Sequence, residues 1–125
     1  MRFPDKLDVL TIHARLIEET GGSGGLRDQG SLESALAAVE NRYNYENADL
    51  ITCAATYAFH LTQAHAFMDG NKRIAAAITE AFLESNGSEL TMTNNDIVQL
   101  FLNIAAGHLT REDVEKKLRS TTRSN

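Results

Sequence analysis

Cysteine, proline and tryptophan are nearly or wholly missing: the 125-residue chain has one of the first, one of the second and none of the third. A lone Cys53 cannot form an internal disulfide, which excludes a small secreted scaffold held by bridges and makes a reducing cytoplasm the expected location. Cys53 itself reads as a small core residue. The single proline stands at position 4, so nothing breaks helices further along. The chain therefore reads as all-α, a compact bundle of about six helices with strands scarce. No apolar run approaches the roughly 18 residues that cross a bilayer, and the opening MRFPDKLDVL lacks the apolar stretch of a secretory signal. Basic residues are also short: 12 Lys and Arg face 17 Asp and Glu, a net charge of -5. That balance argues against direct nucleic-acid binding through a broad basic face. Any phosphate site must be local. The length suits one domain over residues 1–125, with 120–125 read as a frayed tail.

Glycine, where it occurs, punctuates. A first helix from Leu7 to Thr20 places Leu7, Leu10, Leu16 and Ile17 on its apolar face and stops at Gly21 and Gly22. The segment GGSGGLRDQG has no strand before it and no GK[ST] ending, so it reads as a connector rather than a phosphate loop. Ser31 is placed to cap the helix of LESALAAVENRY. The polar stretch Asn41 to Asn47 then interrupts the pattern as an exposed loop or short flap whose tyrosines are available to contact a partner. Two central helices follow. One, Ala48 to Ala64, is apolar on two sides, and the next carries Ile74, Ala75, Ile78 and Phe82 until Gly87 stops it. Two further helices are expected, Asn95 to Ala106 and Arg111 to Arg119, the second opened by Thr110 with Asp113 as a capping box.

Chemistry gathers in HAFMDGNKR, His65 to Arg73, between the two central helices. Asp69 and Gly70 make the turn and Asn71 is placed as the N-cap, which leaves the N–H groups of Lys72, Arg73 and Ile74 without intrahelical acceptors. Lys72 and Arg73 add two cations where the helix dipole already disfavours them. Cations there need a reason, and a bound phosphate supplies one, with Gly70 permitting close approach and Arg73 donating a fork of hydrogen bonds. At the other end of the loop the His65 imidazole can take a proton from an incoming hydroxyl. Asp69 is placed to hold Mg²⁺, which needs only one or two carboxylates when phosphate oxygens complete its shell. Phe67 reads as the inward anchor of the loop. Singly, each residue is an ordinary turn, cap or surface charge. Together, a base, a metal-binding acid and an anion nest are what phosphoryl or nucleotidyl transfer from a nucleoside triphosphate requires.

These nine residues resemble the signature of the Fic/Doc family, H-P-F-x-[D/E]-G-N-G-R. His65, Phe67, Asp69, Gly70, Asn71 and Arg73 match it, while Ala66 and Lys72 depart. The lysine is similar to that of the Doc branch, the death-on-curing toxins of toxin–antitoxin modules. The segment GLRDQGSLESAL, Gly25 to Leu36, resembles a second common segment of the family, and the likeness covers nearly the whole chain. The resemblance implies a Fic-like helical fold and a kinase that passes the γ-phosphate of ATP to a threonine of elongation factor Tu. On that carry-over His65 is the general base, Asp69 holds Mg²⁺, Gly70 and Asn71 bind phosphate with the helix start, and Lys72 and Arg73 neutralise developing charge. Lys72 replaces the glycine that in Fic enzymes leaves a nest for the α and β phosphates, so ATP is expected in the opposite sense.

Two rival readings stay open: transfer of AMP, as the otherwise complete Fic pattern suggests, and a non-catalytic module that blocks translation by binding. The self-inhibitory [S/T]-x-x-x-E-[G/N] segment of many Fic proteins is missing, since Glu40-Asn41 has Leu36 at the Ser/Thr position. Restraint is therefore expected from a Phd-like antitoxin. Among the other histidines, His60 has no metal-ligand spacing to His65, and His13 and His108 are assigned to the surface or to packing against a partner. Lys116, Lys117, Arg119 and Arg123 read as a solvated basic end.

Overall fold

The computed structural model describes residues 1–125. Its elements follow the order α1 (Lys6–Thr20), α2 (Gln29–Glu46), α3 (Leu50–Ala64), α4 (Asn71–Ser85), β1 (Ser88–Leu90), α5 (Asn94–Ala105), α6 (Arg111–Thr121) and β2 (Thr122–Ser124). The starts of five helices are set by side chains. Asp5, Asp28, Asp49, Thr93 and Thr110 each accept the backbone N–H three residues on, and Asp5–Asp8 and Thr110–Asp113 complete reciprocal capping boxes. Each such cap stabilises its helix by about 1 kcal/mol. Asp28 rather than Ser31 caps α2; Ser31 sits inside the first turn and its N–H is the group that Asp28 receives, at 3.1 Å. Only α4 starts without a side-chain cap.

α3 occupies the centre, packed against α2, α4, α5 and α6. Its buried residues, Cys53 to Ala58 with Leu61 and Thr62, run round most of its circumference. Three alanines among them, Ala54, Ala55 and Ala58, are fully covered and let neighbouring helices approach. Burial pushes the Cys53 thiol up to about 11, with the Asp49 carboxylate adding to the effect. Such a thiol stays protonated and inert. α4 buries one face only, through Ile74, Ala75, Ile78, Phe82 and Leu83. No helix is long and apolar enough to cross a membrane.

Three further expectations from sequence fail. Asn41 to Glu46 is helix, not loop: α2 runs on to Asn47, a left-handed C-cap. Arg42 reaches across to the Thr56 hydroxyl at 3.0 Å and Phe3 packs edge-on against Tyr43, so packing carries a polar stretch that contains no breaker. Residues 122–124 are not frayed but paired. β2 runs antiparallel to β1, Glu89 opposite Arg123, with the Arg123 guanidinium on the Glu89 carboxylate at 2.7 Å. Thr91 N–H to Thr121 O and Asn125 N–H to Gly87 O extend the pairing at both ends. Finally, α1 turns Val9 and His13 inward while Leu7 is 70% exposed.

The N-cap of α3 also binds α6. Arg119 donates to both Asp49 oxygens, at 2.9 and 3.2 Å, and this guanidinium, with the Thr52 N–H, lowers the Asp49 carboxyl from the ordinary 3.8 to about 2. A folded-state pKa below the unfolded one means stability that is present at neutral pH and lost as pH falls. The expected outcome is a melting temperature that drops as pH falls from about 4 towards 2. Arg119→Ala should flatten that drop in part, because the Thr52 N–H remains; thermal denaturation followed across the pH series checks it.

Candidate active site

α3 ends at His65, which takes a left-handed conformation, φ 48°, uncommon for any residue but glycine. The neighbouring backbone holds it there. Arg27 and Asp28 both donate their N–H to Ala66 O, at 2.7 and 3.0 Å, and Met68 N–H donates to Gly25 O at 3.1 Å. The Arg27 guanidinium grips the His65 carbonyl at 2.7 Å. Leu26 and Phe67 form a single antiparallel bridge, and Phe67 is buried as the loop anchor expected of it. The two segments singled out in the sequence, GLRD and HAFMDGNKR, are therefore one structure. It holds the His65 backbone rigidly and leaves its imidazole exposed.

The far side of the loop is closed by Asn71, which is not the N-cap. Gly70 takes that position with φ 76°, and Asn71 is the first helical residue. Its side-chain amide donates to Phe67 O and its carbonyl accepts the Phe67 N–H, both at 3.0 Å. That side chain is consumed in closing the loop, so Asn71 can offer a phosphate only its main-chain N–H. Ile74 N–H donates to Gly70 O at 2.9 Å, which removes it from the expected set of donors. The free first-turn groups are instead those of Asn71, Lys72 and Arg73. A side chain on Gly70 would be strained by its φ, and a Cβ there would lie 3.2 Å from Ile17 Cδ1 and 3.5 Å from His13 Nε2.

α1 and the glycine-rich segment roof this nest, so neither His13 nor GGSGG is peripheral. His13 is 3% exposed; its ring stacks on Phe67 at 3.8 Å and its Nε2 lies 2.7 Å from the Asp69 carbonyl. Arg73 donates to the Thr20 hydroxyl and to Gly21 O, and stands 3.7 Å from Asp69 Oδ1. Asp69 Oδ1 also accepts the Gly70 N–H at 2.8 Å. A Cβ on Gly22 would fall 2.5 Å from Asp69 Oδ2, so the glycine keeps that oxygen accessible. The sequence signal for His13 is its spacing: Val9, His13 and Ile17 are four apart and share one face. His60 is not part of the loop. It is half-buried, bonded to Arg111 at 3.3 Å, and its pKa is lowered by burial, by Arg111 and by Arg42. His108 is exposed.

Beside the nest an apolar slot of about 160 Å³ opens between α4 and α5, lined by Ala76, Ile97, Val98, Phe101 and Leu102 with Lys72 and Arg73. No group of three or more His, Cys, Asp or Glu side chains could hold a metal unaided. A lone accessible carboxylate beside three free N–H groups and two cations does fit Mg²⁺ arriving with a polyphosphate, which supplies the remaining oxygens. The arrangement can bind an anion at the helix start, and the loop that ends there begins at the exposed His65 imidazole.

A family model described as the Fic/DOC family matches residues 3–83, from the chain start through nearly all of α4. Protein kinase doc of Escherichia phage P1 is 30% identical over 120 residues, 95% of this chain and 94% of the phage protein. Both matches span the zipped loop, the roof and the uncapped helix start, and on these grounds the chain belongs to the Fic/DOC family.

Proposed function

We propose that this chain is a Doc-type toxin that arrests translation by passing the γ-phosphate of ATP to a threonine hydroxyl of elongation factor Tu in the cytoplasm. The observation that carries the reading is Lys72 at the second position of the one helix without a cap. It adds a cation to three free N–H groups across the loop from an exposed imidazole. The name of the phage P1 relative, a protein kinase, supports it.

In the proposed reaction His65 takes the proton of the target hydroxyl while its oxygen bonds to the γ-phosphorus. The bond from that phosphorus to the bridging oxygen breaks, and ADP carries the charge away. The N–H groups of Asn71, Lys72 and Arg73, already fixed by the helix, stabilise that charge together with the Lys72 ammonium. Arg73 exchanges its bonds to Thr20 and Gly21 for phosphate oxygens. Asp69 would hold Mg²⁺, which neutralises phosphate charge when bound. The apolar α4–α5 slot beside Lys72 offers the base of the nucleotide a place out of water.

A Phd-like antitoxin is the proposed source of restraint. An open groove between α1 and α4, lined by Phe3, Leu7, Ile12, Ile78 and Phe82, supports an amphipathic partner segment. It lies on the helix whose other face touches Asp69 and Arg73. Co-expression with the neighbouring gene should yield a stable complex; a toxin purified alone that leaves growth unimpaired would count against this partner.

Incubation with elongation factor Tu and ATP labelled on the γ- or the α-phosphate tests the reaction. Label from the γ position is expected; label from the α position means AMP transfer, and neither means a binding module. His65→Ala should reduce transfer about 10²- to 10⁴-fold with an unchanged melting temperature. Lys72→Gly should cost about 10²-fold in the same assay. An undiminished rate in the His65 variant would overturn its role as base.

A further inference from the structure

We propose that His13 is a positioning residue that sets the Asp69 carboxylate by fixing the orientation of the Asp69–Gly70 peptide group. The inference rests on the reading of Asp69 as the group that holds Mg²⁺ with nucleotide.

A carbonyl oxygen only accepts, so the 2.7 Å contact requires the proton on His13 Nε2, which donates to Asp69 O. That carbonyl belongs to the same planar peptide group as the Gly70 N–H. The Gly70 N–H in turn donates to Asp69 Oδ1 at 2.8 Å. One rigid plane thus takes a bond from α1 through its oxygen and passes one to the carboxylate through its nitrogen. With Oδ1 held, Oδ2 is left on the side where Gly22 has no Cβ.

The need for such a hold is local. Gly70 sits at φ 76°, where an unrestrained glycine turns over readily, and the Asp69 side chain is about half exposed. Without His13 the Asp69–Gly70 peptide keeps only its bond to its own aspartate; the bonds of Met68 N–H to Gly25 O before it and of Ile74 N–H to Gly70 O after it belong to other peptide groups and leave this plane free to turn. His13 itself cannot drift: it is buried, its ring is stacked at 16° to Phe67, and Phe67 is bridged to Leu26. The imidazole therefore links the rigid zipped strand of the loop to its flexible glycine turn. It touches no reacting group, and its action passes through Asp69.

Three full-length variants separate the bond from the packing. His13→Phe keeps a stacking ring and loses the donor, His13→Gln keeps a donor and loses the ring, and His13→Ala loses both. Gly70 amide exchange followed by NMR, and ATP affinity with and without Mg²⁺, are measured on each. His13→Phe is expected to speed Gly70 exchange and to cut the Mg²⁺-dependent gain in ATP affinity, each by about fivefold to tenfold. Its metal-free ATP affinity should stay that of the wild type. His13→Gln should retain more Gly70 protection and more Mg²⁺-dependent gain than His13→Ala, a difference that a merely structural histidine would not produce. Wild-type Gly70 exchange in His13→Phe, or equal behaviour of the Gln and Ala variants, overturns the inference even if both variants are less stable. A wild-type protein whose ATP affinity ignores Mg²⁺ overturns the metal role of Asp69 and hence the proposal as stated, and Gly70 exchange then shows whether the peptide was held for another purpose.

Discussion

The N-terminus of α4 keeps its first-turn N–H groups open, and the surrounding loop is organised around that omission. Elsewhere in the bundle an aspartate or threonine closes each helix start. At α4 the residue best suited to that task, Asn71, is moved one position into the helix and turned back on Phe67. Its shift does two things at once. The loop is closed by a side chain that requires no external partner, and the positive end of the helix dipole is left without acceptors, with Lys72 and Arg73 added to it. On a chain of net charge -5 this is a small region of opposite sign, which is enough for a polyphosphate and too little for a nucleic-acid backbone.

Much of this is legible in the sequence because it is local. The Thr110–Asp113 capping box, glycine stops and two helices rich in apolar residues outline the bundle, and Asp-Gly-Asn-Lys-Arg marks the turn with its misplaced cations. The rest depends on partners distant in the chain. A polar run such as Asn41 to Glu46 has the composition of a loop, and only the reach of Arg42 to Thr56 and of Phe3 to Tyr43 keeps it helical. Three-residue strands with their partners 34 residues away leave no periodic trace. His13 is hardest to read, since a single histidine on a half-polar helix looks like a surface residue until the carbonyl it meets, 56 residues on, is known. The Asn71 shift has the same character: both the cap and the staple satisfy the same dipeptide chemistry, and the choice is made by Phe67.

α1 is the element that sequence patterning describes least well and the site uses most. It packs mainly against α4, yet contributes His13 to the loop and, at its end, Thr20 and Gly21 to Arg73. Ile17 lies between them against Gly22 and Gly70. A helix with so shallow a seat bearing on two residues of the nest makes the site sensitive to whatever lies on its outer face.

The β1–β2 pairing has a topological consequence. α4 passes through Asn86 and Gly87 into β1, and both chain ends meet that junction: Arg2 exchanges two hydrogen bonds with Asn86, while Asn125 donates to Gly87. The polypeptide is close to a ring whose seam lies at the far end of α4, about 22 Å along the helix axis from the nest. Tags or fused domains at either end therefore emerge away from the loop. A short linker across the seam would join the termini, so that the chain could be reopened in another surface connection with the bundle's contacts unchanged.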